Sequence, residues 1–342
     1  MPRDDDHRRE RQRKASERTN LDPFVVIGGD ASPRDQRDLM ERPFFSLAKT
    51  PRTRPIFYQA ADVEVRVFGM PEHGMATIWD ADVLIWAASQ LVEAANRGLA
   101  TSRFFRFTPY QLLRGIGRPT GNRQYLLLKA ALARLQSTVI ATTIRNGAHW
   151  RRRQFSWINE WEEMTTQAGR VEGMEFVLPE WFYNGVVDRS LVLAIDPAYF
   201  RLTGGIERWL YRVARKHAGR QHDGWLFEIA HLHAKSGSLA RVSDFALDLR
   251  RIAARQPLPG YRLQIERDDH RELLRIWPDK QSTVPVENHV NGIGTSGART
   301  IGTSGANRAA HSIEESNRES NSSSLTHAHA IHGAGATRRG AP

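Results

Sequence analysis

Thr108-Pro-Tyr-Gln-Leu-Leu-Arg-Gly-Ile-Gly-Arg-Pro-Thr-Gly-Asn-Arg-Gln-Tyr-Leu-Leu-Leu-Lys-Ala-Ala-Leu-Ala-Arg-Leu-Gln-Ser137 reads as two helices separated by a tight break. Thr108 followed by Pro109 supplies an N-cap and a first-turn proline for a short helix through Ile116. Gly115 and Gly117 flank a break before Pro119 and Thr120, and Thr120 is the expected cap of the second helix. In that helix Leu128, Ala131, Leu132 and Leu135 form one stripe, which leaves Asn122, Tyr125 and Lys129 toward the other side and Arg123 on its flank. Two helices with a glycine-containing break describe a helix-turn-helix. Downstream, residues 138–145 and 148–157 are strand-like and are joined by Asn146-Gly147, the dipeptide best suited to a type I′ turn. The hairpin carries Arg145, His149, Arg151, Arg152 and Arg153 near its tip. Helix, turn, helix and basic hairpin in that order is the pattern of a winged helix, whose second helix enters the major groove while the wing grips the backbone.

The charge around this stretch is one-sided. From Ala94 to Asn159 there is no Asp or Glu, while Lys and Arg occupy twelve positions, one more than the formal net charge of +11 on the whole 342-residue chain. Such a field acts on a polyanion rather than a neutral metabolite, and nucleic acid is the partner it suggests. The competing reading is a solvated basic face with no partner.

Working outward, residues 56–59 and 63–68 read as strands, as do 44–49 and 75–79. Asp80 stands where an N-cap belongs, and Val83, Trp86, Ala87, Leu91, Ala94 and Ala95 recur at helical spacing until Asn96, Arg97 and Gly98. The helix-turn-helix order then repeats: helices over 202–217, 225–235 and 239–255, the last capped by Ser238, and a hairpin over 261–276 turning at 267–270. This second unit is also net basic, with sixteen Lys and Arg against ten acids over 201–280. Residues 1–35 are polar and charge-dense and read as a flexible arm. Residues 281–342 form a low-complexity tail that contains a short duplication starting at Ile293 and Ile301. The expected architecture is therefore α+β: two tandem winged-helix domains, 36–195 and 196–280, between arm and tail.

Cysteine is absent, which excludes disulfides and thiolate metal sites and fits a reducing compartment. The N-terminus lacks the apolar core of a secretory signal, and no run approaches the roughly 20 apolar residues of a membrane span. A cytoplasmic, non-enzymatic protein with no membrane partner, cofactor or metal is expected. No Gly-Lys-Ser/Thr phosphate loop occurs, so unwinding of DNA would require a partner. Gly115, Gly117 and Gly121 approach a dinucleotide fingerprint, but no strand leads into them correctly. His231 and His233, around one apolar residue, resemble the metal pair of rolling-circle nickases; such a pair must alternate on a strand, and the helical order expected here turns the two apart. The tail histidines His327, His329 and His332 have no fixed geometry for a metal. Phe104, Phe105, Phe107 and Trp150 suit a core better than a base-stacking platform.

The candidate DNA contacts are Arg114, Arg118, Thr120, Asn122, Arg123, Tyr125, Lys129, Arg151, Arg152 and Arg153 in the first unit, and Lys235, Ser236, Ser238 and Arg241 in the second. Asn122, Arg123 and Tyr125 are placed for base edges; Lys129 and the hairpin arginines are placed for phosphates.

Laid out in this way, residues 20–278 resemble the replication initiator protein A family of proteobacterial plasmids. The resemblance rests on Asp38-Leu-Met-Glu-Arg-Pro-Phe-Phe-Ser-Leu-Ala-Lys49, Arg66-Val-Phe-Gly-Met-Pro71, Gly74-Met-Ala-Thr-Ile-Trp-Asp80, Gly121-Asn-Arg-Gln-Tyr125, Leu210-Tyr-Arg-Val-Ala-Arg-Lys-His217 and Leu232-His-Ala-Lys-Ser-Gly-Ser238, with Phe245-Ala246 and Asp248-Leu-Arg250. It implies a tandem winged-helix initiator that binds repeated double-stranded sites at a plasmid origin, recruits the host initiator and helicase machinery, and represses its own promoter. It also implies exchange between a homodimer, for which residues 44–79 offer a surface, and an initiating monomer. A transcriptional repressor without a replication role is the alternative, followed by a metal-dependent origin nickase using His231 and His233. At Ser243 and Asp244 the resemblance implies basic residues, and this chain departs from it there.

Overall fold

The computed structural model describes residues 21–279, apart from 29–30, 62, 146–151, 169–170, 220–222 and 269–270. Its elements begin with β1 (Phe24–Val25), β2 (Arg34–Gln36), β3 (Ile56–Ala60), β4 (Val63–Phe68), α1 (Ala81–Asn96), β5 (Phe104–Phe107), α2 (Pro109–Gly115) and α3 (Asn122–Ser137). There follow β6 (Val139–Thr142), β7 (Arg153–Ser156), β8 (Glu160–Thr165), β9 (Val171–Val177), α4 (Glu180–Val187) and β10 (Val192–Ala194). The chain continues through α5 (Gly205–His217), β11 (Trp225–Glu228), α6 (Ile229–Ser236), α7 (Val242–Arg255), β12 (Tyr261–Asp268) and β13 (Arg271–Pro278). The fold is mixed α+β, and one pattern occurs twice. The order α1-β5-α2-α3-β8-β9 places β9 between β5 and β8, and α5-β11-α6-α7-β12-β13 places β13 between β11 and β12.

Helix α1 is the strut of the first unit. It is buried from Ala81 to Leu91, as expected of a helix that is apolar nearly all round. Its buried polar groups have partners, which removes the cost of their desolvation. Ser89 Oγ donates to the Ile85 carbonyl at 2.6 Å and accepts from Arg34 N, and Gln90 Oε1 accepts from Ile27 N. These bonds tie down part of the expected arm: β1 and β2 lie within 1–35 or at its end, and Phe24, Val26 and Asp35 are buried. The burial reflects pairing with distant strands, β1 with β5 and β2 with β10, which local composition cannot reveal. Residues 1–20 and the tail from 280 lie outside the described residues.

Four further expectations are corrected. The strands of the basic hairpin, β6 and β7, do pair, but they extend β3 and β4 into a separate sheet of order β3-β4-β6-β7. Val67 opposite Ile140 buries two β-branched side chains there, so α3 lies against β7 of that sheet as well as against β8 of a second hairpin, β8-β9. The turn at Asn146-Gly147 lies outside the described residues. Residues 44–49 and 75–79 are loops joined by one bridge, Ser46 to Thr77, because Phe44, Phe45, Met75 and Ile78 fill the core as loop side chains. Residues 225–235 divide into β11 and α6, since Leu226 and Phe227 pair with β13 before the chain turns helical. Asp80 does not cap α1: its own backbone is already helical, and its carboxylate accepts from Thr77 N at 2.8 Å and from Arg134 at 2.7 Å.

The two units meet along α5. Arg208, Arg212 and Lys216 recur every fourth residue and so share one face of the helix. Each meets a carboxylate from the first half: Arg208 with Asp82 at 2.6 Å, Arg212 with Asp35 at 2.7 Å, and Lys216 with Glu41. Arg208 and Arg212 are 2 % and 1 % exposed, and Asp82 and Asp35 0 % and 3 %, so both pairs are cut off from water. Removing one member leaves a buried charge without a partner. Arg212→Ala should therefore cost about 3–5 kcal/mol in urea unfolding, and Arg212→Met combined with Asp35→Leu should recover most of it.

Glu41 gathers the most partners. Lys216, Lys235 at 3.4 Å, Arg42 at 3.1 Å and His217 Nε2 at 2.6 Å all face its carboxylate. Burial pushes this carboxyl up, but the hydrogen bond with His217 and the charges of Lys216, Lys235 and His217 outweigh it and hold the group well below the carboxylate range. A depressed folded-state value means that the stabilisation is whole at neutral pH and is lost on acidification, once the unfolded carboxyl, near about 4.3, begins to bind protons. Glu41→Gln should thus lower stability at pH 7 and flatten its decline below about pH 5, read from urea midpoints across pH.

Candidate nucleic-acid interface

Each unit presents a pair of helices around a left-handed glycine. In the first, Thr108 Oγ1 accepts from Gln111 N while Gln111 Oε1 accepts from Thr108 N at 2.8 Å, a complete capping box that starts α2 as expected. Gly117 follows at φ +66°. Gly115 passes so close to Trp86 that a Cβ would lie 2.6 Å from the indole. Helix α3 then starts at Asn122, with extended Gly121 rather than Thr120 in the cap position. In the second unit Gly237, at φ +64°, separates α6 from α7. Only glycine adopts this backbone at little cost.

The sequence stripe of α3 is its buried face: Leu128, Ala131, Leu132 and Leu135 are its buried residues. Asn122 and Arg123 consequently stand exposed at its N-terminal end, where the first turn holds no acid to compete for an anion. Tyr125 is half-buried against the first core. It lines a groove of about 330 Å³, with Tyr110, Leu126 and Lys129 on one side and Glu163 and Val171 of β8-β9 on the other.

Folding changes the charge balance of the acid-free window. Among the described residues, seven of its cations hold carboxylates that lie outside it: Arg97 with Glu93, Arg106 with Glu175, Arg118 with Asp82, Lys129 with Glu163, Arg134 with Asp80, Arg145 with Asp38 and Arg152 with Glu64. The β8-β9 hairpin carries Glu160, Glu162, Glu163, Glu172 and Glu175 and is acidic, in contrast to the basic hairpin expected over residues 138–157. Arg114, which stands over Tyr110 at 5.9 Å, Arg123 and Arg153 are exposed and have no carboxylate partner among the described residues.

The expected contacts are therefore divided by the structure. Arg114 on α2, Asn122 and Arg123 at the start of α3, and Arg153 on β7 are exposed. Arg118 turns inward, donating to Asp82 at 2.7 Å and to the Trp79 carbonyl at 2.9 Å. Thr120 is half-buried, Lys129 binds Glu163 at 2.9 Å, Arg152 binds Glu64 at 2.7 Å, and Arg151 lies outside the described residues. In the second unit Lys235 is buried toward Glu41. Ser236 Oγ donates to the His233 carbonyl at 2.7 Å and accepts from Ser238 N, while Ser238 Oγ accepts from Ala240 N; both serines fix the turn, and α7 starts later, at Val242. Arg241 is 85 % exposed and is held by Asp244 at 3.0 Å, one of the two positions where basic residues were expected.

His231 and His233 lie on α6 and not on a strand; His233 Nε2 is 2.7 Å from the Ala240 carbonyl, and its ring packs on Phe245. Phe104, Phe105 and Phe107 are buried in β5, and Trp150 and the tail histidines lie outside the described residues. Among the described residues no group of three acids or histidines could hold a metal, and no helix is long and apolar enough to cross a membrane. Sequence reasoning overlooked the charged face of α5. The signal was present as basic residues every fourth position amid Trp209, Leu210, Val213 and Ala214. Arg118→Ala should cost about 2 kcal/mol in urea unfolding, the worth of a hydrogen bond to a buried charge, while leaving unchanged any preference of the folded protein among DNA duplexes.

Residues 34–263 match the family described as Replication initiator protein A. A protein of Wigglesworthia glossinidia brevipalpis, provisionally named for replication, is 32 % identical over 240 residues, which cover 68 % of this chain and 85 % of that protein. Among solved structures, domains 2 and 3 of RctB superpose with a TM-score of 0.51 at 11 % identity, covering 70 % of this chain and 96 % of the other.

Proposed function

The chain belongs to the replication initiator protein A family, and we propose that it starts replication of a plasmid by binding repeated double-stranded sites at the origin through both helix pairs, without itself catalysing a reaction. In this reading each repeated unit is a winged helix, with α3 and α7 as recognition helices. The observation that carries it is the pair Asn122 and Arg123. They stand exposed at the start of α3, and Arg114 is exposed on α2, in a region where most other cations are already neutralised. Asn and Arg are the side chains that best read adenine and guanine in the major groove. The acidic β8-β9 hairpin does not suit a phosphate grip, so in the first unit phosphate contact falls to Arg114, Arg153 and the N-terminus of α3. Recruitment of the host initiator and helicase, repression of the protein's own promoter and a homodimer through residues 44–79 complete the proposal, supported by family membership.

Footprinting of the full chain on its own replicon should show protection of discrete repeats, and uniform protection would overturn the reading. Arg123→Ala should cost about 1–3 kcal/mol on the repeat and relax sequence preference. Arg153→Ala should weaken all duplexes about equally and reduce the slope of log K against log salt by about one.

A further inference from the structure

The outward faces of α3 and α7 share a feature that charge does not explain. Leu126 is 57 % exposed and Leu247 is 42 % exposed. Leu126 stands two residues before buried Leu128, and Leu247 two residues before buried Leu249. A step of two residues turns about 200° around a helix, so each exposed leucine is nearly opposite the core-facing one. The correspondence extends further along both helices. Asn122 and Ser243 lie four residues before the two leucines, on the same outward face. Lys129 and Arg250 lie three residues after them, and each holds a glutamate of its unit's hairpin, Glu163 and Glu272. The two helices are thus seated alike on their hairpins, and each offers water a large aliphatic side chain at the same point of its surface.

An exposed leucine gains free energy only when something apolar covers it. The floor of the major groove offers one such group, the C5 methyl of thymine. The surroundings of Leu126 favour that occupant over an apolar protein surface, because Asn122 lines the same groove, Glu163 across it is already held by Lys129, and Arg123, three residues before Leu126 on α3, is exposed without a carboxylate partner among the described residues. We infer that Leu126 and Leu247 are specificity-determining residues, each packing against a thymine methyl in its half of the recognised repeat.

This inference rests on the DNA-binding reading, and thymine replacement separates the two. The probe is a duplex carrying one footprinted repeat from the protein's own replicon, and a series in which single thymines are replaced by deoxyuridine, which loses the methyl and keeps the pairing. With the full chain, affinity measured by fluorescence anisotropy should fall about fourfold at each contacted thymine, the worth of burying one methyl-sized group. Leu126→Ala should lose a similar factor on the thymine duplex, become indifferent to deoxyuridine at one position and stay sensitive at the position read by Leu247. Leu247→Ala should do the converse. Both substitutions place a strong helix former at an exposed site, so the fold should persist, and circular dichroism melting checks it. Equal affinity of the wild-type chain for every thymine and deoxyuridine duplex, with Arg123→Ala still relaxing preference, overturns the inference, leaves DNA binding intact and assigns the leucines to a protein partner. Absence of preference for any duplex overturns the DNA reading and this inference with it.

Discussion

Asp35, Glu41 and Asp82 lie in a nearly dry seam against Arg212, Lys216 and Arg208 of α5, and the arrangement of the rest follows from it. Buried ion pairs add little net stability, because desolvation offsets attraction, but a mismatched pairing is strongly penalised. Three cations at four-residue spacing meet three fixed carboxylates in only one rotation and register of the helix. The same carboxylates reach further. Asp82 also holds Arg118, between α2 and α3, and Glu41 also holds Lys235, on α6. One charged seam therefore sets the position of both helix pairs, and with it the spacing between α3 and α7.

Charge along the chain and charge on the surface are separate quantities in this protein. The window from 94 to 159 contains no acid, yet Asp38, Glu64, Asp80, Asp82, Glu93, Glu163 and Glu175 come from before or after it and neutralise much of it. Among the described cations of the window, those left without a carboxylate include Arg114 and Arg123, on the helix pair itself. The field a polyanion would meet is narrower than the linear run implies.

Much of this arrangement was legible before folding. The capping box at Thr108, the buried stripe Leu128, Ala131, Leu132 and Leu135, the strands 56–59 and 63–68 and the helix ending near Gly98 all follow from local rules that the structure obeys. What escaped depends on partners far away in sequence. β6 and β7 read as a wing because a hairpin looks the same whichever sheet it joins. Phe44, Phe45 and Met75 read as strand residues because burial in a loop and burial in a sheet select the same side chains. Lys235, Ser236 and Ser238 looked available to DNA because their positions beside a helix-turn-helix break hid their bonds to Glu41, His233 and Ala240.

The sequence by itself determined that α1, α2 and α3 are helices, which face of α3 is buried and that two similar units occur, since caps, glycines and apolar periodicity act within a few residues. Only the tertiary structure decided which sheet each hairpin joins, which cations remain unpaired and how the two units are joined. These depend on contacts between residues such as Arg208 and Asp82, 126 positions apart, whose attraction acts through space and leaves no mark on the spacing of either neighbourhood.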